Sequence, residues 1–336
     1  MNKYLILLLC FIATPVTAKL DAKRTSVLMR VVPDARSASM GGSGTASNRI
    51  TLPLFWNPAG MSDFERRKIS FAHGELLLGI QKEFLEYVHP ITRAHFVGGA
   101  VIGTDYGSIP RTQIDQYNEP ITDLGSFTGS DLAIRLGYAY KFSPSLRAGF
   151  SLSFYEKDLD AHDDRSFIFE AGALYMLPWW KIRSGFAISN VGPGVKLVSQ
   201  TNRLPLTYRF GLSKPFWDDR ILFQMDLEKP VDRGVSINLG GEFQYVNWFK
   251  LRAGWNNALD RISTGIGITW RGIDFDYAFI PFDAFGDMHR ISFGVEFGEA
   301  VKPPIAPKYK LEKPSVQKSP ALNEKPEPQP PDYLFR

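Results

Sequence analysis

The sequence predicts an all-β fold, namely a 14-stranded antiparallel transmembrane β-barrel. Three observations lead to this prediction: fourteen segments alternate apolar and polar residues with a period of two, the joins between them alternate between short and long, and tryptophans lie beside the short joins. A strand with one apolar and one polar face is typical of a sheet that meets different surroundings on its two sides. In an outer-membrane barrel the apolar faces meet lipid and the polar faces line the lumen.

The predicted strands lie between residues 66 and 298, which we assign to the barrel. Most have about the 9 to 11 residues, or slightly more, that a tilted strand needs to cross a bilayer. Their number is even, as a closed bacterial barrel made from one chain requires. In chain order they span residues 67–78, 82–90, 93–103, 131–142, 145–157, 165–177, 180–190, 204–213, 219–229, 234–245, 248–257, 262–271, 273–281 and 288–298.

The clearest strand is the fourth. Arg135 and Lys141 lie on one of its faces, and the other face carries only apolar side chains: Leu132, Ile134, Leu136, Tyr138, Tyr140 and Phe142. A soluble β-sandwich would bury such a face against a second sheet. The hydrophobic content of 44% is compatible with either architecture, so only the joins between the strands can distinguish a soluble sandwich from a membrane barrel.

The joins give the barrel its two ends. Those after even-numbered strands are tight, as at Ser143-Pro144 and Arg271-Gly272. Those after odd-numbered strands are longer, notably 104–130, 158–164, 191–203 and 282–287, with short exceptions near Gly79 and after Glu228. Because outer-membrane barrels have short periplasmic turns and long extracellular loops, this alternation predicts that both chain ends are periplasmic.

Tryptophan placement supports the same orientation. Trp prefers the membrane–water interface, where its amphipathic ring is stable. Five tryptophans fall at or beside the tight turns and predict a periplasmic aromatic girdle: Trp179, Trp180, Trp217, Trp248 and Trp270. The alternative is a soluble β-protein in which these rings are ordinary core residues.

The N-terminus predicts export. Residues 1–3 are basic, residues 4–12 are apolar, and Val16-Thr17-Ala18 fits a cleavage site, so we expect a signal peptide over residues 1–18 that is removed after Ala18. The only cysteine, Cys10, lies in that segment, so the exported chain would have no disulfide and no cysteine metal ligand. No later stretch approaches the roughly 18 to 20 apolar residues of a membrane helix. The net charge of +4 is too balanced to suggest nucleic-acid binding.

The mature chain has three predicted parts. Residues 19–65 precede the first strand, residues 66–298 form the barrel, and residues 299–336 form a Pro-rich tail in the periplasm. A tail rich in Pro, Lys, Glu and Gln cannot bury enough apolar surface to fold, so we expect it to be disordered. Its last apolar residues, Tyr333-Leu334-Phe335, are either an anchor for a periplasmic partner or a frayed end.

The segment before the barrel carries a family resemblance. Asp34-Ala35-Arg36-Ser37-Ala38-Ser39-Met40-Gly41-Gly42-Ser43-Gly44-Thr45-Ala46, followed by Phe55-Trp56-Asn57-Pro58-Ala59-Gly60-Met61, resembles the N-terminal signature of the PorV/PorQ family, and the Asn-Pro-Ala element is shared by FadL-like outer-membrane barrels. The resemblance continues at Ser189-Asn190-Val191-Gly192, Leu204-Pro205, Gly240-Gly241-Glu242-Phe243, Leu251-Arg252-Ala253-Gly254-Trp255, Asp276-Tyr277 and His289-Arg290. It implies a 14-stranded outer-membrane barrel with an N-terminal hatch inside the lumen. Within that hatch we expect Asn57, Pro58 and Ala59 to form the hatch motif.

The faces opposite the lipid carry charges of both signs. The predicted lumen-facing charges are Arg135, Lys141, Arg147, Glu170, Lys181, Arg183, Arg209, Asp226, Glu228, Glu242, Lys250, Arg252, Asp274, Asp276, Arg290 and Glu296. They form either an ion-pair network that rigidifies a plugged barrel or the solvated wall of a channel. Because apolar side chains dominate a pocket for a fatty acid, these charges argue mildly against a close copy of FadL transport.

Catalytic and cofactor signatures are missing from the sequence. The five histidines show no metal-ligand spacing, no Gly-x-Ser-x-Gly element occurs, and no Gly-Lys-Ser/Thr follows the glycines at 41–44. The acidic stretch at 158–164 lacks the spacing of an EF-hand and is best explained as a solvated loop. We therefore expect no enzyme activity, no cofactor and no metal site.

Two functions compete at this stage, and both depend on resemblance. The first is a PorV-like accessory of protein secretion in the outer membrane, which would meet secreted proteins or secretion-machine components at loops 104–130 and 191–203. The second is a FadL-like channel for hydrophobic small molecules. A third possibility is a structural barrel without a transport role. The presence of the remaining secretion machinery in the source genome would discriminate among them.

Overall fold

A computed structural model describes residues 27–122, 124–160, 162–197, 200–282 and 286–301 of the chain. The predicted signal peptide lies outside the described residues, and so does the predicted tail apart from residues 299–301. In the part that is described, no helix is long and apolar enough to cross a membrane.

Fourteen strands form one closed antiparallel barrel, which confirms the predicted fold class. The two strands at the ends of the sheet close it: β1 pairs with β18 from Arg67 opposite Phe297 to Glu75 opposite His289. Closure leaves no unpaired sheet edge. The barrel strands are β1 (Arg67–Glu75), β2 (Gln81–Pro90), β3 (His95–Pro110), β6 (Ser126–Lys141), β7 (Leu146–Leu159), β8 (His162–Leu177), β9 (Ile182–Val191), β12 (Thr207–Phe216), β13 (Ile221–Pro230), β14 (Ser236–Val246), β15 (Phe249–Asn256), β16 (Arg261–Trp270), β17 (Ile273–Ile280) and β18 (Met288–Phe297).

The period-two alternation sets which face of each strand points outward. On β6, Ile134 and Leu136 are 49% and 69% exposed on the outer surface, whereas Arg135 between them is 3% exposed and faces the interior. The five tryptophans at the tight turns are all on the outside and more than half exposed. The apolar faces therefore cover the outer wall, as the sequence predicts.

The joins divide the barrel into two ends, which we call the short-turn end and the long-loop end. The short-turn end carries the joins 91–94, 142–145, 178–181, 217–220, 247–248 and 271–272. The long-loop end carries the joins 76–80, 111–125, 160–161, 192–206, 231–235, 257–260 and 281–287. The join 111–125 contains a small hairpin of β4 (Gln113–Ile114) and β5 (Pro120–Ile121), and the join 192–206 contains β10 (Val195–Leu197) and β11 (Gln200–Asn202).

Two predicted loops at this end are wrong in their extent. Residues 104–110 and 126–130 belong to the ladder of β3 with β6, so the loop predicted at 104–130 shrinks to 111–125. The loop predicted at 158–164 is a two-residue turn, because β7 and β8 pair up to Leu159 opposite His162. In these strand ends apolar residues no longer alternate regularly with polar ones, so the pattern that predicts a strand disappears there.

The hatch segment, described from residue 27, fills the interior. It contains a 3-10 turn (Val27–Arg30), helix α1 (Ala35–Ser39), helix α2 (Pro53–Trp56) and a second 3-10 turn (Pro58–Asp63). Trp56 is 1% exposed and is the largest fully buried side chain among the described residues. Burying an apolar side chain of this size contributes roughly 1.5 to 3 kcal/mol.

Inward-facing glycines make room for the hatch. At each of them a Cβ atom would lie between 2.0 and 2.9 Å from a hatch atom, closer than two such atoms can approach. These glycines are Gly98, Gly137, Gly149, Gly172, Gly185, Gly211, Gly240, Gly254 and Gly265, on β3, β6, β7, β8, β9, β12, β14, β15 and β16. The hatch therefore packs directly against the barrel backbone around most of its circumference.

Candidate functional site

The hatch motif connects the hatch to the barrel wall. The Asn57 side-chain amide donates hydrogen bonds to the carbonyls of Thr45 and Ala173, at 3.2 and 3.1 Å. Its side-chain oxygen accepts the N–H of Ala59 at 3.1 Å and so caps the turn that Pro58 begins. Asparagine suits this position because it carries both donors and an acceptor.

Asp34 performs a second capping role that sequence reasoning missed. One carboxylate oxygen accepts the backbone N–H of Ser37 at 2.8 Å and caps α1. The other accepts the indole N–H of Trp56 at 3.1 Å. A single buried carboxylate therefore ties the two halves of the hatch together.

Most of the predicted lumen charges are held in buried pairs. Glu242 accepts from Arg252 at 2.8 Å and also from Arg36 and Arg49 of the hatch, at 3.1 and 2.7 Å. Arg252 in turn donates to Asp276 at 2.7 Å. Burial lowers the pKa of the Arg36 guanidinium, and the adjacent Glu242 carboxylate opposes this effect.

The other charges form separate anchors around the wall. Asp226 accepts the backbone N–H groups of Gly44 and Thr45 at 2.9 and 2.8 Å. Asp63, at the end of the hatch, accepts from Arg183 at 2.6 Å and also pairs with Arg147. Removing one partner of a buried ion pair costs roughly 3 to 5 kcal/mol, so these contacts hold the hatch in place.

Six predicted residues lie away from these anchors. Arg135 pairs with Glu170 at 2.7 Å, and Arg209 pairs with Glu228 at 3.2 Å. Lys141 is half-buried at the short-turn end. Lys181 is exposed in the turn 178–181 and does not face the lumen. The prediction for Lys181 is wrong because the strand begins one residue later, at Ile182.

Sequence reasoning did not identify the hatch residues that complete these pairs, namely Arg36, Arg49 and Asp63. They lie outside any period-two segment, so no strand pattern assigns them to a face. Their partners across the barrel are separated from them by more than 80 residues along the chain.

A pocket of about 430 Å³ opens at the long-loop end, between the hatch and the joins 76–80, 231–235, 257–260 and 281–287. Its walls are largely apolar, with Leu76, Leu77, Ile80, Ile280, Phe282 and Met288 among the lining residues. Val31, Val32 and Ala38 of the hatch contribute to the same lining. The sequence analysis missed one signal for this pocket, the run Leu76-Leu77-Leu78-Gly79-Ile80. Five consecutive apolar or small residues are unusual for a solvated turn and therefore indicate that the turn lines an apolar surface.

Four arginines contribute to the lining of this pocket, namely Arg30, Arg233, Arg261 and Arg290. Arg290 lines the pocket and is 5% exposed. Its buried Nε has no hydrogen-bond partner among the described residues. A buried N–H without such a partner is unfavourable, so the Nε of Arg290 favours a ligand that carries an acceptor group.

The part of the interior that lies under the join 192–206, away from the pocket, is closed. The join 192–206 buries Val195 and Leu204 against Ala133, Tyr155 and Ile168. The cavity beneath it measures about 30 Å³ and includes Lys82, Arg135 and Glu170 in its lining. Such a cavity has room for about two water molecules. Across the ranges that are described, no group of His, Cys, Asp and Glu could hold a metal ion.

Comparisons with solved structures support this architecture. The Pseudomonas putida toluene transporter TodX is 12% identical and aligns with a TM-score of 0.59 over 78% of this chain and 96% of its own. The Ralstonia pickettii toluene transporter TbuX is 15% identical, with a TM-score of 0.56 over 79% and 98% of the two chains. A Pseudomonas aeruginosa FadL homologue is 11% identical, with a TM-score of 0.54 over 79% and 98%. No protein-family model matches the sequence, and no curated protein matches it at a significant level.

Identities this low establish the fold alone. The chain has the fold of FadL-type outer-membrane barrels. The narrower resemblance to the PorV/PorQ family has no counterpart among these structures.

Proposed function

We propose that the chain is an outer-membrane channel for hydrophobic small molecules and that the pocket at the long-loop end is its binding site. The observation that carries this proposal is the apolar lining of the pocket, which has the volume of sites that bind small ligands. Structural neighbours whose described role is toluene transport support the same class of cargo.

The interior argues against a general pore for polar solutes. The hatch meets the wall through buried ion pairs and through glycines in direct backbone contact. A water-filled pathway would need most of these contacts to break together. A hydrophobic molecule needs only the apolar surface that is already open at the pocket.

Arg290 narrows the class of cargo. Its buried Nε–H lacks a hydrogen-bond partner among the described residues, and the open surface of the pocket is mainly apolar, so a ligand with one acidic or acceptor group suits both features. The expected cargo is an aromatic or aliphatic compound with a single such group, and neutral hydrocarbons bind more weakly.

Binding to purified protein in lipid nanodiscs tests the proposal. Radiolabelled toluene and benzoate serve as probes, with empty nanodiscs as the blank. The variant Ala258→Trp fills the pocket from the exposed turn 257–260, and we expect at least a tenfold loss of affinity for both probes. The matched control Ala253→Trp places the same ring on the outer wall of β15 and should bind as the unmodified chain does. Equal binding by both variants would contradict the proposal.

One other observation supports a role as an accessory of protein secretion. The hairpin in the join 111–125 exposes Ile114 and Tyr117 to 71% and 76% at the long-loop end, and such side chains suit a protein partner. Under this reading, a secreted protein or a secretion-machine component docks on the joins 111–125 and 192–206, and the tail 299–336 meets a periplasmic partner. Loss of a co-purifying partner on replacing Ile114 and Tyr117 by Ser, with toluene binding unchanged, would favour secretion over small-molecule transport.

A further inference from the structure

We infer that a hydrophobic molecule passes from the pocket along one side of the hatch, between the hatch and the inner wall of β1, β2, β3 and β6, towards the short-turn end. This inference depends on the proposed transport function and assigns its route. The route is an apolar seam, closed by side chains in this structure, that continues from the floor of the pocket.

Two apolar clusters form the seam. The first lies at the pocket and includes Leu76, Ala278 and Met288. The second lies deeper and joins Leu52 and Leu54 of the hatch to wall residues of β1, β2, β3 and β6. Val32 packs against both clusters, so apolar contacts continue from the pocket into the interior without a break.

The second cluster reaches the other end of the barrel. Val88 and Phe96 face inward; Val88 lies three residues before the short turn 91–94, and Phe96 lies two residues after it. Phe64, at the end of the hatch, belongs to the same cluster. The seam therefore spans the height of the barrel wall along β2 and β3.

The anchors of the hatch are distributed asymmetrically. Its ion pairs to the wall at Asp63, Arg36 and Arg49 reach β7, β9 and β14, and Asp226 holds Gly44 and Thr45 from β13. No ion pair between described residues joins the hatch to β1, β2, β3 or β6. The hatch is fixed to one half of the barrel and packed by apolar contact against the other.

Polar contacts restrain the seam near Leu54 and Val31. The Leu54 N–H donates to Glu86 at 3.1 Å, and Arg135 donates to the Leu54 carbonyl. Lys82 donates to the Val31 carbonyl at 2.9 Å. These three bonds reach only backbone atoms of the hatch, so parting the seam at these points breaks hydrogen bonds.

The barrel wall beside the seam is closed at β1. Each barrel strand is paired with both neighbours, and the ladder from β18 through β1 to β2 runs along nearly the whole of β1. A sideways exit into lipid would have to break consecutive backbone hydrogen bonds in a surrounding that cannot replace them.

Single cysteines test the route. Val88→Cys places a thiol in the seam, and Leu222→Cys places one at an equally buried, inward position on β13, next to the short turn 217–220. The mature chain supplies no other thiol if the signal peptide is removed, since Cys10 lies within it. Both variants are checked for barrel folding by heat-modifiable mobility, and Phe96→Cys replaces Val88→Cys if the latter does not fold.

The reagent is benzyl methanethiosulfonate, and the probe is radiolabelled toluene. We expect toluene to accelerate modification of the Val88→Cys variant at least fivefold and not that of Leu222→Cys. Modification at the seam should reduce toluene uptake at least tenfold while binding in the pocket persists. Unchanged uptake after complete modification, or no modification in the presence of toluene, would overturn the route and leave the proposed function standing. Absence of toluene binding in the unmodified chain would instead overturn the proposed function.

Discussion

At the scale of single residues, the interior is organised by close approach between the hatch and the wall. Gly254 shows this most directly, because a Cβ there would lie 2.0 Å from the backbone nitrogen of Gly41. Its neighbour Gly241 faces outward, and a Cβ there would come no closer than 4.0 Å to any other residue outside its immediate chain neighbours. Of these two glycines on adjacent strands, only Gly254 lies where a larger side chain would collide with the hatch.

Gly254→Val should displace the hatch from β15, since backbone atoms on both sides cannot move apart without breaking their own hydrogen bonds. We expect a loss of roughly 1 to 3 kcal/mol in unfolding free energy from overpacking, measured by urea unfolding in detergent, and increased single-channel conductance. Gly241→Val is the matched control and should change neither quantity. Equal behaviour of the two variants would show that the hatch does not rest on the wall as described.

Under the proposed function, Arg290 sets a preference for acidic cargo. Replacing it by Met keeps an unbranched apolar side chain and removes the charge. We expect the Arg290→Met variant to bind benzoate at least tenfold more weakly and to bind toluene as well as the unmodified chain does or better. The measurement is equilibrium binding of both compounds in nanodiscs. A parallel loss of both affinities would mean that Arg290 supports the fold and does not select the ligand.

The two faces of β6 provide a further test at neighbouring positions. Leu136→Arg places a cation in lipid and should cost about 2 to 4 kcal/mol. Arg135→Leu leaves Glu170 buried without its partner, so its cost should be roughly 3 to 5 kcal/mol. Both free-energy costs are measured by reversible unfolding of the barrel in lipid vesicles. From the polarity of the two faces alone, Arg135→Leu should cost much less than Leu136→Arg unless Arg135 forms a buried ion pair, and its buried pair with Glu170 reverses that order.

At the scale of elements, the barrel strands could be predicted from the sequence because lipid and lumen impose the period-two pattern along each of them. The ends of β3, β6, β7 and β8 could not be predicted in this way, because the alternation of apolar and polar residues ends before the hydrogen-bonded ladders end. The inward direction of Arg252 and Asp276 follows from the pattern, whereas their link to Arg36 through Glu242 depends on the position of the hatch.

The last strand sets the end of the foldable unit. β18 pairs with β1 and with β17 and ends at Phe297. A chain that stops after Gly298 should therefore insert and show heat-modifiable mobility, because the ladder is complete. A chain that stops before Arg290 should not, since β1 and β17 would each be left with an open edge. Failure of the longer chain to fold would assign a structural role to residues beyond 298.

At the scale of the whole molecule, the barrel has two unlike halves. The wall formed by β7, β9, β13 and β14 is tied to the hatch by charged side chains. The wall formed by β1, β2, β3 and β6 meets the hatch mainly through apolar side chains, and these contacts continue to the open pocket. This asymmetry is what a channel for hydrophobic cargo needs, because the plug can remain anchored while one side of it parts.

Uptake by whole cells tests the central claim that the pocket admits hydrophobic cargo. The measurement is the initial rate of radiolabelled toluene and benzoate uptake by a Gram-negative host with intact lipopolysaccharide that produces the unmodified chain, Ala258→Trp or Ala253→Trp at equal surface levels. The account predicts uptake at least tenfold above the empty host for the unmodified chain and for Ala253→Trp, and uptake at the level of the empty host for Ala258→Trp. Equal rates for the empty host and all three chains would contradict it.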